Sequence, residues 1–127
     1  AAMVAFDGRD VLLSARRSDA AEYLVGVTGV AAQIVEWGTG VEGAVIVNAT
    51  PIGMEGGNLP EAVLAAASGL IDLAYGQSET PAVERLRGTV PVADGIDHLV
   101  AQAARSFTLW TGLSAPLDAM MRSARTP

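Results

Sequence analysis

The chain has no cysteine, a single histidine, two residues each of Trp, Tyr and Phe, and only eight basic residues against fourteen acidic ones. Without cysteine there is no disulfide framework, thiol nucleophile or thiolate metal site. The lone His98 builds no imidazole cluster, so no metal is expected. A formal net charge of -6 repels a phosphate backbone, which argues against nucleic acid as a partner. No apolar run approaches the roughly 18 residues a membrane span requires, and the amino terminus shows neither the basic nor the apolar region of a signal peptide. The expectation is therefore a cytoplasmic chain with no membrane partner.

What is present is a 127-residue chain, half of it hydrophobic and rich in Ala, Val and Gly, which suits close packing of helices on a sheet. That length makes one domain with a real core and excludes a two-domain enzyme. The most informative stretch is Asn48-Ala49-Thr50-Pro51-Ile52-Gly53-Met54, which ends the apolar run Gly43 to Val47. A buried parallel strand that stops in a polar, proline-bent turn is where open α/β sheets hold ligands, beyond the carboxyl ends of the strands.

Apolar runs of strand length alternate with helical patterns along the chain. Ala1 to Phe6 reads as a helix tail ended by Asp7-Gly8, and Asp10 to Ser14 as a short strand. Asp19 to Val25 reads as a helix with Ser18 as N-cap, Ala32 to Trp37 as a strand, and Ala44 to Val47 as a continuous β-branched core strand. Asn58 with Glu61 three residues on has the pattern of a capping box opening a helix through Ala67, closed by Gly69. Leu70 to Ala74 is the next strand. Thr80-Pro81 supplies an N-cap and first-turn proline for a helix to Arg87, which Gly88 closes.

Val90 to Ala93 carries Pro91, which cannot donate to a ladder, so this strand belongs at a sheet edge. From Asp94 to Trp110, Ile96, Leu99, Val100, Ala103, Phe107 and Trp110 keep helical spacing, and a last helix runs from Pro116 to about Ser123. The fold class expected is α/β, with right-handed crossovers and a mostly parallel sheet.

These residues resemble the carboxy-terminal, NADP-binding half of the shikimate dehydrogenases, most strongly from Ala44 to Gly112. The resemblance rests on three blocks in order: Asn48 to Met54; Asp72-Leu73-Ala74-Tyr75 with Glu79-Thr80-Pro81; and Asp94-Gly95 with Leu99, Gln102, Phe107 and Trp110-Thr111-Gly112. It implies a Rossmann-like three-layer αβα fold, NADP as cofactor, and hydride transfer between 3-dehydroshikimate and shikimate in aromatic amino acid biosynthesis. It implies a small-molecule substrate and leaves a homodimer open. A quinate-active relative and a non-enzymatic NADP(H)-binding module are the alternatives.

Residue by residue, Arg16 takes the family's arginine position after the strand Asp10 to Leu13, where an Arg accepts the 2′-phosphate of the adenosine ribose. Ala15, Arg17 and Ala20 depart from the family pattern, and Arg17 stands as a substitute for the missing basic group. Two solvated surface arginines are the plain alternative. Asn48, Ala49 and Thr50 match the turn that approaches ribose and nicotinamide, although such a turn also forms for its own sake. Leu73 matches a cofactor contact and Tyr75 a hydroxyl facing substrate, against the common role of a core tyrosine with a wet end.

Gly95 matches the point where family backbone meets the nicotinamide, and Gln102 the glutamine that bonds substrate hydroxyls. Asp94, His98 and Gln102, spaced by four, share one helical stripe expected to line a cleft, or otherwise a solvated face. His98 replaces a methionine common in the family near the nicotinamide; a tolerated polar substitute is the reading favoured here.

The family opens its cofactor domain with a central strand and a glycine-rich loop that holds the pyrophosphate, and this chain is expected to begin after them. Losing the central strand of a doubly wound sheet would leave two half-sheets with exposed edges. The family's catalytic lysine and aspartate belong to an amino-terminal substrate domain that is not in this sequence, so no catalytic acid-base pair is named. Residues 1–127 thus read as an NADP-binding domain fragment, inactive alone. Arg16, Asn48, Leu73 and Gly95 are expected along one rim.

Overall fold

Two separate ladders of parallel strands carry the fold in a computed structural model, which describes residues 9–76 and 78–126. In the first ladder β1 (Val11–Ser14) pairs with β2 (Ala32–Val35), Val11 opposite Ala32 and Ser14 opposite Val35, joined by helix α1 (Ser18–Thr28). The second holds β3 (Ala44–Asn48), β4 (Ala67–Asp72) and β5 (Val92–Ala93) in the order β3-β4-β5. Helix α2 (Glu61–Ala65) links β3 to β4, and α3 (Pro81–Leu86) links β4 to β5. Helices α4 (Gly95–Thr111) and α5 (Leu117–Arg125) follow.

The parallel α/β fold and the split into two half-sheets are as expected. Among the described residues β1 pairs only with β2 and β3 only with β4, so each keeps one unpaired edge. β5 closes the far edge, and Pro91, just before it, accepts a hydrogen bond from the Leu70 amide at 3.0 Å through its carbonyl, the one bond a proline can still make there. The helix tail read at Ala1 to Phe6 lies outside the described residues.

The core gathers on the second sheet. Leu59, Leu64, Leu70, Ala82, Val83 and Leu86 are buried together, with Ile46, Ile52 and Val92 packed against them. Leu64 and Leu70, fully buried, each contribute about 2 kcal/mol of hydrophobic stabilisation. Trp37 is not in β2 as expected: the strand ends at Val35, and Trp37 packs against this core from the connection to β3. That connection then passes under α2 at Gly40, where a Cβ would collide with the carbonyl of Ala62.

Several local expectations are corrected. Ser18 lies inside α1, whose N-cap is Arg17 with no side-chain capping bond to the helix amides. Asn58 makes no capping box: its Oδ1 accepts from the adjacent Leu59 amide at 2.9 Å, and Pro60 caps α2. That helix is short because Ala67 is already paired with Ala44, so Gly69 is a strand residue opposite Val45 rather than a helix stop. β4 correspondingly begins and ends earlier than Leu70 to Ala74. β3 is not a core strand throughout, since Val45 is 59% exposed on the outer strand of its ladder. On α4 the apolar stripe buries Val100 but leaves Trp110 81% exposed.

Candidate functional site at the carboxyl ends of β3 and β4

The parallel register sets Asn48 opposite Asp72, so β3 and β4 end side by side, and the Leu73 amide donates to the Asn48 carbonyl at 3.0 Å. Both polar residues are buried, Asn48 to 3% exposure and Asp72 completely, which demands that their hydrogen bonds be made within the protein. Asn48 Nδ2 donates to Asp72 Oδ1 at 2.8 Å and to the Ile52 carbonyl at 3.1 Å. Its Oδ1 accepts from the Thr50 amide at 3.1 Å and from Thr50 Oγ1 at 2.7 Å. The carboxamide has thereby made the four hydrogen bonds open to it, and the Asn-Ala-Thr-Pro turn is an Asx turn tied back to the neighbouring strand.

Asp72 is the hub. Its Oδ1 also accepts from the Ala74 amide at 3.0 Å, and its Oδ2 accepts from Thr80 Oγ1 at 2.5 Å. Thr80 Oγ1 in turn accepts from the Val83 amide at 3.3 Å as the N-cap of α3, as expected for Thr80-Pro81. One carboxyl thus joins the ends of two strands to the start of a helix. Gly53 completes the join, with φ +101° and a position where a Cβ would lie 2.8 Å from Thr80 Cβ.

Helix α4 starts against the same corner. Asp94 Oδ1 accepts from the Asp97 amide at 3.0 Å and Asp97 Oδ2 accepts from the Asp94 amide at 3.3 Å, a reciprocal capping box. Behind this cap Gly95 presses on β4's exit: an added Cβ would strike the Ala74 carbonyl and lie 2.7 Å from Tyr75 Cβ. The protein's own backbone therefore requires glycine at this position. A cleft of about 700 Å³ lies among Tyr75, Glu79, Thr80, Gly95, Ile96 and Arg125.

Charge at the cleft is paired. Arg87 Nη2 lies 2.7 Å from Glu79 and 3.2 Å from Asp94, while Arg125 Nη2 lies 3.0 Å from Asp94 and 2.7 Å from Asp97. Burial of the Asp94 carboxyl works to raise its pKa. The Asp97 amide and the guanidiniums of Arg125 and Arg87 outweigh that and hold it below the ordinary aspartate value.

Asn48, Ala49, Thr50, Leu73, Tyr75 and Gly95 are thus brought to one corner, with Ala49 and Tyr75 exposed and Leu73 half-buried. Of the stripe expected to line a cleft, Asp94 alone does so; His98 and Gln102 are exposed on α4 outside the cleft lining. Arg16 and Arg17 are exposed at the carboxyl end of β1, on the other ladder, and Arg17 pairs with Asp19 at 3.0 Å. Of the four residues expected along one rim, Asn48 and Leu73 are hydrogen-bonded to each other and Gly95 packs against Ala74 and Tyr75 just beyond them, while no hydrogen bond ties Arg16 to this corner among the described residues. Asp72 and Arg125 were missed as structural centres. The first was legible as a carboxylate inside an apolar strand, whereas Arg125 carries no sequence signal for its partners.

The model of the shikimate 5′-dehydrogenase C-terminal domain matches residues 95–125. A shikimate dehydrogenase (NADP(+)) from Halorhodospira halophila is 38% identical over 114 residues, covering 84% of this chain and 41% of that protein. One from Methanocella arvoryzae is 39% identical over 85 residues, covering 64% of this chain and 32% of that protein. The crystal structure of shikimate 5-dehydrogenase from Thermus thermophilus in complex with NADP(H) and shikimate superposes with a TM-score of 0.77 at 26% identity, over 93% of this chain and 46% of that one.

The chain belongs to the shikimate dehydrogenase family. It spans about a third to just under a half of the length of these relatives. A 5-ketofructose reductase from Gluconobacter superposes equally well, at a TM-score of 0.77, but at 16% identity it shares the fold alone. Within this member of the shikimate dehydrogenase family, the matched segment 95–125 runs from Gly95 at the cleft through the end of α5, the two helices that Arg125 joins.

Proposed function

We propose that residues 1–127 form the cofactor-binding portion of an NADP-dependent shikimate dehydrogenase, which interconverts 3-dehydroshikimate and shikimate by hydride transfer in the cytoplasm. The observation that carries this reading is the corner where the Asn48 turn, the exit of β4 and the start of α4 meet at the carboxyl ends of parallel strands. Among the described residues no helix is long and apolar enough to cross a membrane.

The donor set suits a phosphorylated dinucleotide. Arg16 and Arg17 sit where β1 ends and α1 begins, and the first amides of α1 have no side-chain cap, a setting that favours an anion. In this reading those two arginines hold the 2′-phosphate, while the Asn48-Ala49-Thr50 turn, Leu73, Gly95 and His98 border the ribose and nicotinamide. With Asn48 fully bonded inside its turn, that residue shapes the wall and leaves contact to its neighbours. Tyr75 and Gln102, both exposed, lend a hydroxyl and an amide to substrate. Bound NADP(H) supplies the hydride chemistry.

The test is the full-length protein assayed for NADP reduction with shikimate and, separately, quinate. Shikimate-dependent reduction with NADP preferred over NAD is expected; NADP binding without turnover on either polyol would instead favour a non-enzymatic binding module. The 127-residue chain alone is expected to turn over neither.

A further inference from the structure

Helix α5 is held differently from the rest of the second sheet's helices. None of its residues is buried, only Met120 and Met121 are half-covered, and its last turn nonetheless lines the cleft through Ala124, Arg125 and Thr126. What reaches across is one guanidinium: Arg125 Nη2 donates to both oxygens of Asp94, at 3.1 and 3.0 Å, and to Asp97 Oδ1 at 2.7 Å. These two carboxyls are the reciprocal cap of α4, so the ion pair grips the point from which Gly95 presses on Ala74 and Tyr75.

We propose that Arg125 is a positioning residue, fastening the end of α5 to the N-terminal cap of α4 and thereby setting the wall of the cleft beside Tyr75. With so little apolar area under α5, the ion pair decides whether its last turn is docked. Asp94 is the stronger half of the grip. Its side chain is 10% exposed against 40% for Asp97, so its attraction is screened less by salt. Arg87 reinforces Asp94 from the other side at 3.2 Å and is itself anchored by Glu79, so the carboxyl stays in place when Arg125 lets go. The cleft's contact with ligand rests on the dehydrogenase reading above, whereas the docking of α5 does not.

Amide hydrogen exchange on the full-length protein tests the docking. Arg125→Ala is expected to speed exchange at residues 120–126 by about tenfold and to leave β4 and α3 unchanged, as a local opening does. Arg125 makes all three bonds through Nη2, so Arg125→Lys, which keeps the charge on one nitrogen at a shorter reach, should recover part of the protection. In the unmutated protein, raising salt from low to about 1 M should speed the same amides, and Arg125→Ala should abolish that salt dependence. Unchanged exchange at 120–126 in Arg125→Ala, or a salt response that survives it, overturns the proposal.

Steady-state kinetics test the cleft wall. KM for shikimate should rise several-fold in Arg125→Ala with kcat within about twofold, and Arg125→Lys should restore it in part. Altered exchange with an unchanged KM overturns the positioning role. Absence of shikimate-dependent turnover in the unmutated protein overturns the dehydrogenase reading instead, and exchange alone then decides the docking.

Discussion

Asn48 and Asp72 face each other across two parallel strands and share a buried 2.8 Å hydrogen bond, and through it a turn, two strands and a helix cap become one structural unit. The local sequences around them specify only a turn after one strand and an acid at the end of another. Their pairing is what turns those fragments into a corner.

Replacing Asp72 with Ala should therefore destabilise more than loss of one contact implies. The Asn48 amide, the Thr80 hydroxyl and the Ala74 amide would each lose their acceptor in a buried site, at about 1–3 kcal/mol for each donor that water does not reach. Asp72→Asn, which keeps an acceptor but turns one oxygen into a donor, should fall between the two. Urea denaturation of the full-length protein measures the order, and an Ala variant as stable as the parent would refute the hub.

Gly95 and Gly112 separate collision from backbone strain. At Gly95 an alanine meets the Ala74 carbonyl and Tyr75 Cβ, so α4 must shift; a loss of about 1–3 kcal/mol and a changed environment at Tyr75 are expected. At Gly112, φ is +71° with open space around it, so Gly112→Ala costs only the left-handed conformation, about 1 kcal/mol, and leaves Tyr75 alone. Thermal melts together with tyrosine fluorescence distinguish the two, and equal effects on Tyr75 would contradict the close approach seen at Gly95.

The parts of the fold legible in the sequence are those set by neighbours in the chain. Thr80-Pro81 caps α3 and Pro91 marks the outer strand because each acts through backbone groups within a few residues. Asn58 and Glu61 show where such reasoning fails: the spacing suits a capping box, but Pro60 takes the cap and pairing of Ala67 with Ala44 shortens the helix. Tertiary pairing overrides the local pattern. The same holds at the site, where the Asn48 turn was visible but its tie to Asp72, 24 residues away, was not. Arg125 stands 31 residues from Asp94, and no periodicity predicts that contact.

Acid should loosen the cleft before it unfolds the core. The folded-state pKa of Asp94 lies below its ordinary value of about 3.9, so its contribution is fully present above that value and is lost as pH falls through the folded one. Protonation there weakens the hold on Arg125 and Arg87 together, each of which keeps its second partner, Asp97 for Arg125 and Glu79 for Arg87. Relative to the intrinsic exchange rate at each pH, protection of residues 120–126 should fall as pH drops below the ordinary aspartate value of about 3.9. Asp94→Asn keeps a capping acceptor and should flatten that part of the profile; an unaltered acid response would reassign it to other carboxyls.

Cofactor discrimination gives the last test. Arg16 and Arg17 flank the uncapped start of α1, so a 2′-phosphate would gain charge-assisted bonds that an unphosphorylated ribose cannot. Asp19 draws Arg17 aside at 3.0 Å, but both side chains are well exposed and the pair is weak enough to be exchanged for a dianion. Arg16→Ala with Arg17→Ala in the full-length protein should weaken NADP by about tenfold or more, equivalent to about 1.4 kcal/mol, and NAD by less than threefold. The gap between the two should narrow as salt rises, since exposed pairs are screened over about 10 Å at 0.1 M. Titration of both cofactors by fluorescence at two salt concentrations measures this. Equal losses for NADP and NAD would remove the two arginines from phosphate recognition and leave the corner at Asn48 and Gly95 without its expected partner on the first ladder.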